Sequence, residues 1–300
     1  MADIGGINFE DVGARLRAHR IGRGISPEEL AQRIGISRAA LYRAEKGEII
    51  KIETLASISR ELRVSLPTLL GVGVEYISNA LAFFERMRQV EEQADQIIGL
   101  FSPISYLVTT QYYDEILQDV FLESLHTDQQ ADANRLLKIL SKRKQEFARR
   151  RPLLASVISS IDIESFLRDG LEGRHGLPFA VRAARRRAAV DEVRHIIGLL
   201  RAPDIGIQLG VSPEPFPSTS FQITRAGDQS TLTVSPFRLG HNPNISVGVG
   251  FITSAPEAVE LHDSIARVLW EGSLRGQAAA DHLENLIAQA KEQESNHPHD

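Results

Sequence analysis

The chain has 300 residues, 42% of them hydrophobic and 24% charged, with a formal net charge of −5. That length accommodates two domains with cores of their own, and the balance excludes a disordered or fibrous chain. The absence of cysteine excludes disulfides, thiolate metal clusters and cysteine nucleophiles. No apolar run reaches the roughly 18 residues of a spanning helix, and the acidic opening Met1–Asp11 is unlike a signal peptide, so a cytoplasmic protein is expected. Charge is unevenly spread: residues 1–73 hold eleven Lys and Arg against nine Asp and Glu, and the remainder holds 23 against 30. Any nucleic-acid contact must therefore depend on a local basic face.

In chain order, Phe9, Val12, Leu16, His19 and Arg20 trace an amphipathic helix that stops at the Gly22-Arg23-Gly24 breaker. Ser26-Pro27-Glu28-Glu29 is a helix start: a serine cap, proline at the first helical position, and acids in the first turn, with Glu29 placed to close a capping box. Leu30, Ala31 and Ile34 face inward and Gly35 ends this helix. Ser37 caps the next one after a two-residue corner, and that helix runs through Lys46 to Gly47. Two short helices joined so tightly predict a helix-turn-helix. A fourth helix is expected over Ile52–Leu62, and Ser65-Leu66-Pro67 caps a short fifth.

The run Ser26-Pro27-Glu28-Glu29-Leu30-Ala31-Gln32-Arg33-Ile34-Gly35-Ile36-Ser37-Arg38-Ala39-Ala40-Leu41-Tyr42-Arg43-Ala44-Glu45-Lys46-Gly47 closely resembles the phage repressor and Cro type of helix-turn-helix, the XRE family of transcription regulators. The resemblance covers about residues 8–72, including Thr54-Leu55-Ala56 and the ending Leu62-Arg63-Val64-Ser65-Leu66. Pro27 stands where the family's best-known repressors place a glutamine that supports the recognition helix and touches phosphate, so that contact is not carried over.

In such a motif the second helix enters the major groove, its N-terminal residues nearest the base edges. Leu41 and Ala44, with Ala40 beside them, are expected to point inward. Arg38 and Arg43 are then candidates for reading guanine, and Ala39 for meeting a thymine methyl. Ser37, Tyr42, Lys46 and Lys51 are candidates for the phosphate backbone, where contacts set register. The competing explanation is a small helical bundle whose solvated face happens to carry these residues.

Val74, Ile77, Leu81, Phe84, Met87 and Val90 recur at helical spacing, predicting one connecting amphipathic helix over 74–95. Its role stays open between a linker, a dimer seam and packing on its own domain. Beyond it, strands are expected at 96–101, 153–159, 205–209, 220–224, 230–234 and 245–253. Helices are expected over 110–125, 129–150, 162–169, 179–201, 255–270 and 276–291, with a frayed tail at 293–300. Interleaved strands and helices predict an α/β or α+β domain around a mixed sheet over 96–292, following an all-α five-helix domain at 1–73.

Ser105-Tyr106-Leu107-Val108-Thr109-Thr110-Gln111-Tyr112-Tyr113, the stretch Leu140–Arg151, and Val193–Leu209 resemble, in order, the uncharacterised C-terminal domain of actinobacterial XRE regulators. That likeness, over roughly residues 95–290, implies a sensing or partner-binding domain and assigns no residue a role.

Catalytic signatures are missing. Neither GxGxxG nor GxxxxGK[ST] occurs, and His175, His195, His241 and His262 are scattered without a metal-binding spacing. No cofactor and no enzymatic activity are expected. Gly240-His241-Asn242-Pro243-Asn244 reads as a polar turn. The basic clusters Lys142, Arg143, Lys144, Arg149, Arg150, Arg151 and Arg182, Arg185, Arg186, Arg187 either touch DNA flanks or an acidic effector or, more simply, form solvated faces paired with acids. Trp270, Phe237 and Phe251 are candidates for an effector pocket or, more simply, for the core.

The expectation is a dimeric, sequence-specific DNA-binding regulator, a repressor on an inverted-repeat operator. Its C-terminal domain would answer to a small-molecule effector or a protein partner. The alternatives are an antitoxin-like autoregulatory protein whose large domain binds a partner, and an enzyme tethered to a DNA reader.

Overall fold

A computed structural model describes residues 8–48, 51–124, 130–173, 176–214, 216–240 and 243–296. His175, His241, Asn242 and the last four residues of the expected tail lie outside the described residues.

The chain opens with α1 (Phe9–Gly22), α2 (Pro27–Ile34), α3 (Arg38–Glu45), α4 (Ile52–Leu62) and α5 (Leu66–Leu70). Short polar residues start most of them. The hydroxyls of Ser26, Ser37 and Ser65 accept the backbone N–H of Glu29, Ala40 and Thr68, each at 3.1 Å, which satisfies donors that no helical turn can reach. The Glu29 carboxylate turns to Arg33, one turn along, instead of back to Ser26. Gly35, left-handed at φ 72°, ends α2 and lets the chain re-enter a helix two residues later, a conformation glycine adopts without a Cβ penalty. Leu16, Leu30, Leu41, Ile58, Leu62 and Leu69 meet in a closed core.

The rest of the chain is an α/β domain built on one eight-stranded mixed sheet in the order β1-β7-β6-β5-β2-β3-β4-β8. Its strands are β1 (Val74–Ile77), β2 (Gln96–Phe101), β3 (Leu153–Ser159), β4 (Ile207–Ser212), β5 (Ser220–Ala226), β6 (Gln229–Ser235), β7 (Gly250–Thr253) and β8 (Leu274–Arg275). Strands β2, β3 and β4 run parallel and are joined through helices, as parallel neighbours require; the remaining pairs are antiparallel. The helices are α6 (Ala80–Glu92), α7 (Gln111–Ser124), α8 (Gln130–Arg150), α9 (Ser160–Asp169), α10 (Phe179–Arg201), α11 (Pro256–Glu271) and α12 (Gly276–Asn296), with a 3-10 turn at Tyr106–Val108.

Alternation along the strands divides the core. In β2, Ile97 and Phe101 join the cluster formed with α6 to α10 and α12, whereas Ile98 and Leu100 join a smaller one under α11. Among the described residues, one face of the sheet thus carries six helices and the other a single helix.

Several expectations need correction. The 74–95 segment is not one helix, because Val74–Ile77 forms the outer strand β1, antiparallel to β7. Its burial has the two-residue period of a strand, with Glu75 and Ile77 inside and Tyr76 outside. The helical spacing of Leu81, Phe84 and Met87 belongs to α6, which starts where the Asn79 side chain accepts the Ala82 N–H at 2.9 Å. The strand expected at 245–253 shortens to β7, since Asn244 holds the preceding turn through Arg238, Pro236 and Val247. The strand expected at 205–209 shifts to Ile207–Ser212. Residues 293–296, expected as frayed, continue α12.

Candidate DNA interface

Helix α3 is the second helix of the tight pair. Leu41 and Ala44 are buried and Ala40 is half-buried, so the opposite side faces outward: Arg38, Ala39, Tyr42, Arg43 and Lys46 are all exposed, as is Ser37 at the cap. Arg38 donates to the Tyr42 hydroxyl at 3.4 Å and pairs with Glu28 at 2.7 Å. Its guanidinium also lies 5.3 Å from the Tyr42 ring centre. Arg43 sits 3.6 Å from Glu48. All are solvent-screened surface pairs, weak enough for a phosphate or a base edge to replace them. Lys51 is exposed immediately before α4, on the chain that leaves the motif. The Ser37 hydroxyl serves the α3 cap, which places the helix N-terminus and its unpaired N–H groups outward.

Buried polar contacts fix α3 from behind. Arg20 of α1 grips Glu45 at 2.5 and 3.1 Å and donates a third bond to the Ile25 carbonyl at 2.9 Å. The helices also touch backbone to backbone: a Cβ on Gly13 would stand 2.6 Å from the Ala44 carbonyl oxygen and 2.7 Å from that of Glu45. The pose of α3 therefore follows that of α1.

Helix α1 in turn is bound to the large domain. Gly22 meets α6 so closely that its Cβ would lie 2.5 Å from the Ala82 methyl, and Ile21 packs on the large core. Between them lies Glu75 of β1, 5% exposed. Its carboxylate accepts from Arg86 of α6 at 3.0 and 3.2 Å, and it faces Arg15 at 3.3 Å and His19 at 3.4 Å on α1. Arg15 acts on the carboxylate mainly through its charge, and His19 through the ring nitrogen that approaches it. Burial opposes ionisation of Glu75, yet Arg86, His19 and Arg15 outweigh it and hold the carboxyl at about 2. The Arg15 guanidinium is pushed below its ordinary value by burial and by Arg86. One carboxylate thus joins three elements from two domains, and only Gly71-Val72-Gly73 separates α5 from β1.

Part of each basic cluster is committed within the fold, while Lys142, Arg149, Arg150 and Arg151 stay exposed. Arg143 is buried against Glu91 at 2.7 and 2.9 Å, Lys144 reaches Asp114 and the Thr110 carbonyl, and Arg185 holds the Ile116 carbonyl and Glu123. They stitch helices together, so a simply solvated face describes them only in part. Trp270 of α11 and Phe251 of β7 pack on the smaller core between α11 and the sheet, and Phe237 lies in the large core against Phe83 and Phe84. His195, His262 and His282 each contact a nearby carbonyl or hydroxyl oxygen. Among the described residues there is no cluster of three potential metal ligands, and no helix is long and apolar enough to cross a membrane. Sequence reasoning missed Glu75 and Gly22; the only signal for Glu75 was a lone acid between apolar residues.

A capped, buried-core helix pair presenting an arginine-bearing second helix defines a helix-turn-helix DNA-binding domain, carried here on an α/β domain. Residues 16–69 match the helix-turn-helix family model, of the XRE type, which supports a DNA-binding transcriptional regulator. The match runs from the middle of α1 into α5. A comparison with curated proteins finds no match.

Proposed function

We propose that the protein is a sequence-specific repressor that binds an inverted-repeat operator as a homodimer, and that its α/β domain sets the affinity by binding an effector. It acts by binding and positioning, with no catalytic step. The observation that carries this reading is the continuous packing from α3 through α1 to α6, by way of Arg20–Glu45, Gly13, Gly22–Ala82 and Glu75. A shift of α6 has no slack joint in which to dissipate before it reaches the recognition helix. Arg38, Ala39 and Arg43 read bases, while Ser37, Tyr42, Lys46 and Lys51 hold the backbone. Two-fold symmetry would place the recognition helices about 34 Å apart, or a multiple of that, on successive major grooves.

Support for self-association comes from α11. Leu261, Ile265 and Val268 are 60%, 42% and 69% exposed and recur at i, i+4 and i+7, an apolar stripe on the outer side of the thinly covered sheet face. The same stripe is what a partner-binding, antitoxin-like protein would present, so it also favours that second reading.

The experiment is competition of genomic upstream fragments against random DNA, with mass measured in solution. Salt-sensitive selection by a dimer, with Ile265→Glu yielding monomers that bind DNA more weakly, is expected. A monomer that selects its site equally well refutes the dimeric reading, and a small protein co-purifying through α11 favours the antitoxin-like one. Failure of any fragment to outcompete random DNA refutes sequence-specific regulation.

A further inference from the structure

A cavity of about 50 Å³ lies on the helix-covered face of the sheet, beyond the carboxyl end of β2. There the sheet changes from a parallel neighbour, β3, to an antiparallel one, β5. Three polar groups that line it have no hydrogen-bond partner among the described residues: the hydroxyls of Ser105 and Thr233 and the amide oxygen of Gln222. None is more than 1% exposed. Leaving such atoms unpaired in a protein interior is costly, and their concentration in one cavity asks for a ligand.

The local chemistry says what kind. Gln222 and Thr233 are register partners on β5 and β6, so their side chains stand side by side. The Gln222 amide nitrogen donates to Glu91 at 3.0 Å, which fixes the amide and leaves its oxygen as an acceptor. Glu91 is already closed by Arg143, and the Tyr113 hydroxyl is spent on the Leu239 carbonyl at 2.7 Å. Burial and Asp114 push the Tyr106 phenol up, keeping it neutral. The buried groups without a partner at the cavity are therefore one acceptor and two hydroxyls, with the Arg143 charge met by Glu91, between the apolar walls of Phe84, Met87 and Phe237. Arg238 is exposed at the rim, beyond the buried part.

We propose that this cavity is the effector site, and that it takes a small uncharged molecule with a flat ring and an amide-like edge, an N–H beside a C=O. The N–H donates to Gln222 and the carbonyl accepts from Thr233 or Ser105. The assignment of the occupant as an effector rests on the effector-controlled reading above. One water needs roughly 10–15 Å³, so the cavity as it stands fits the edge of a ring, and a whole ring must press on Phe84 and Met87. Both belong to α6, which is also held to α8 through Arg88 and Glu146 and which reaches α1 and β1 through Ala82 against Gly22 and Arg86 against Glu75. Glu75 even stands in the same cross-strand row, through Ile252, Thr233 and Gln222, three strands or roughly 14 Å away. Entry of the ring displaces α6, and the displacement reaches α1 and α3.

The test uses the full chain with 2-pyridone, uracil and benzamide as probes, and benzoate and toluene as charged and apolar controls. Calorimetry or ligand-observed NMR reads binding to the wild type, Ser105→Ala and Thr233→Val. Probe binding that each substitution weakens about threefold to tenfold, as expected for one neutral hydrogen bond, supports the site, provided that benzoate and toluene bind far less well. Both substitutions remove an orphaned hydroxyl and are expected to leave Tm unchanged or raised. Absence of binding by every probe, or binding that survives both substitutions, overturns the site; a lowered Tm with unaltered binding shows that the hydroxyls are structural and overturns it too. DNA affinity is then measured with and without 2-pyridone, with a change of about fivefold or more expected. Substitution-sensitive binding that leaves DNA affinity unmoved overturns the effector role alone. Loss of selective DNA binding in the probe-free protein strikes the regulator reading instead.

Discussion

Replacing Glu75 by glutamine keeps the shape of the side chain and deletes its charge, leaving Arg15 and Arg86 facing each other in a buried site. A carboxyl held at about 2 against an ordinary value of 4.5 contributes about 3 kcal/mol to the folded state at neutral pH. Removing one partner from a buried ion pair commonly costs about 3–5 kcal/mol, so the two routes agree. Because the folded value is lowered, this stability is present in full above about pH 4.5 and is lost as pH falls toward 2. Urea unfolding at pH 7, followed by circular dichroism, is expected to show Glu75→Gln less stable by about 3 kcal/mol. Trp270, the sole tryptophan, lies in α11 and reports the α/β domain alone. Loss of the latch is therefore expected to appear as helix melting ahead of the Trp270 signal. The gap between wild type and variant is expected to close between pH 5 and pH 2, where the wild-type carboxyl becomes as neutral as the amide. A variant within 1 kcal/mol of wild type, or a gap that stays constant on acidification, refutes the argument.

Three other outcomes follow from the interface. Arg43→Ala is expected to relax discrimination at one base pair by about tenfold, whereas Lys46→Ala weakens all sequences alike and lowers the salt slope by about one; fragment competition across salt concentrations separates them. Gly13→Ala drives a methyl into the Ala44 and Glu45 carbonyls, so a loss of about 1–3 kcal/mol in denaturant unfolding and a larger loss in operator binding are expected. Ser26→Ala removes the α2 cap and is expected to cost about 1 kcal/mol, with the base preference of the remaining folded protein unchanged.

The N-terminal helices were legible because their signals are local. Ser26, Gly35 and Ser37 each act on backbone within three residues, and the inward Leu41 and Ala44 follow from helical spacing alone. The segment 74–77 reads as helix in the sequence because four apolar-rich residues before a true amphipathic helix extend its pattern. Only the pairing with β7, nearly 180 residues away in the chain, makes it a strand. The cavity was illegible for the same reason. Ser105, Gln222 and Thr233 are ordinary polar residues until the pairing of β5 with β6 and the turn after β2 bring them to one cavity, and for Phe237 the core is the simpler reading, although it lies in the core and lines the cavity as well. Arg143 and Arg185 looked like surface charge because sequence shows their basic neighbours and not the acids across the fold.

Helix α1 serves two interiors at once, Leu16 in the small core and Ile21 in the large one. The reader of this protein is accordingly not a portable cassette. Cut after residue 72, it would carry a bare apolar strip and an arginine–histidine pair stripped of its acid. Grafted onto another effector domain, it would need a helix with an alanine set against Gly22 and a carboxylate beneath Arg15. Exchange of reader domains among regulators, easy where a loose tether joins the parts, is closed to this chain unless α6 and β1 travel with the reader.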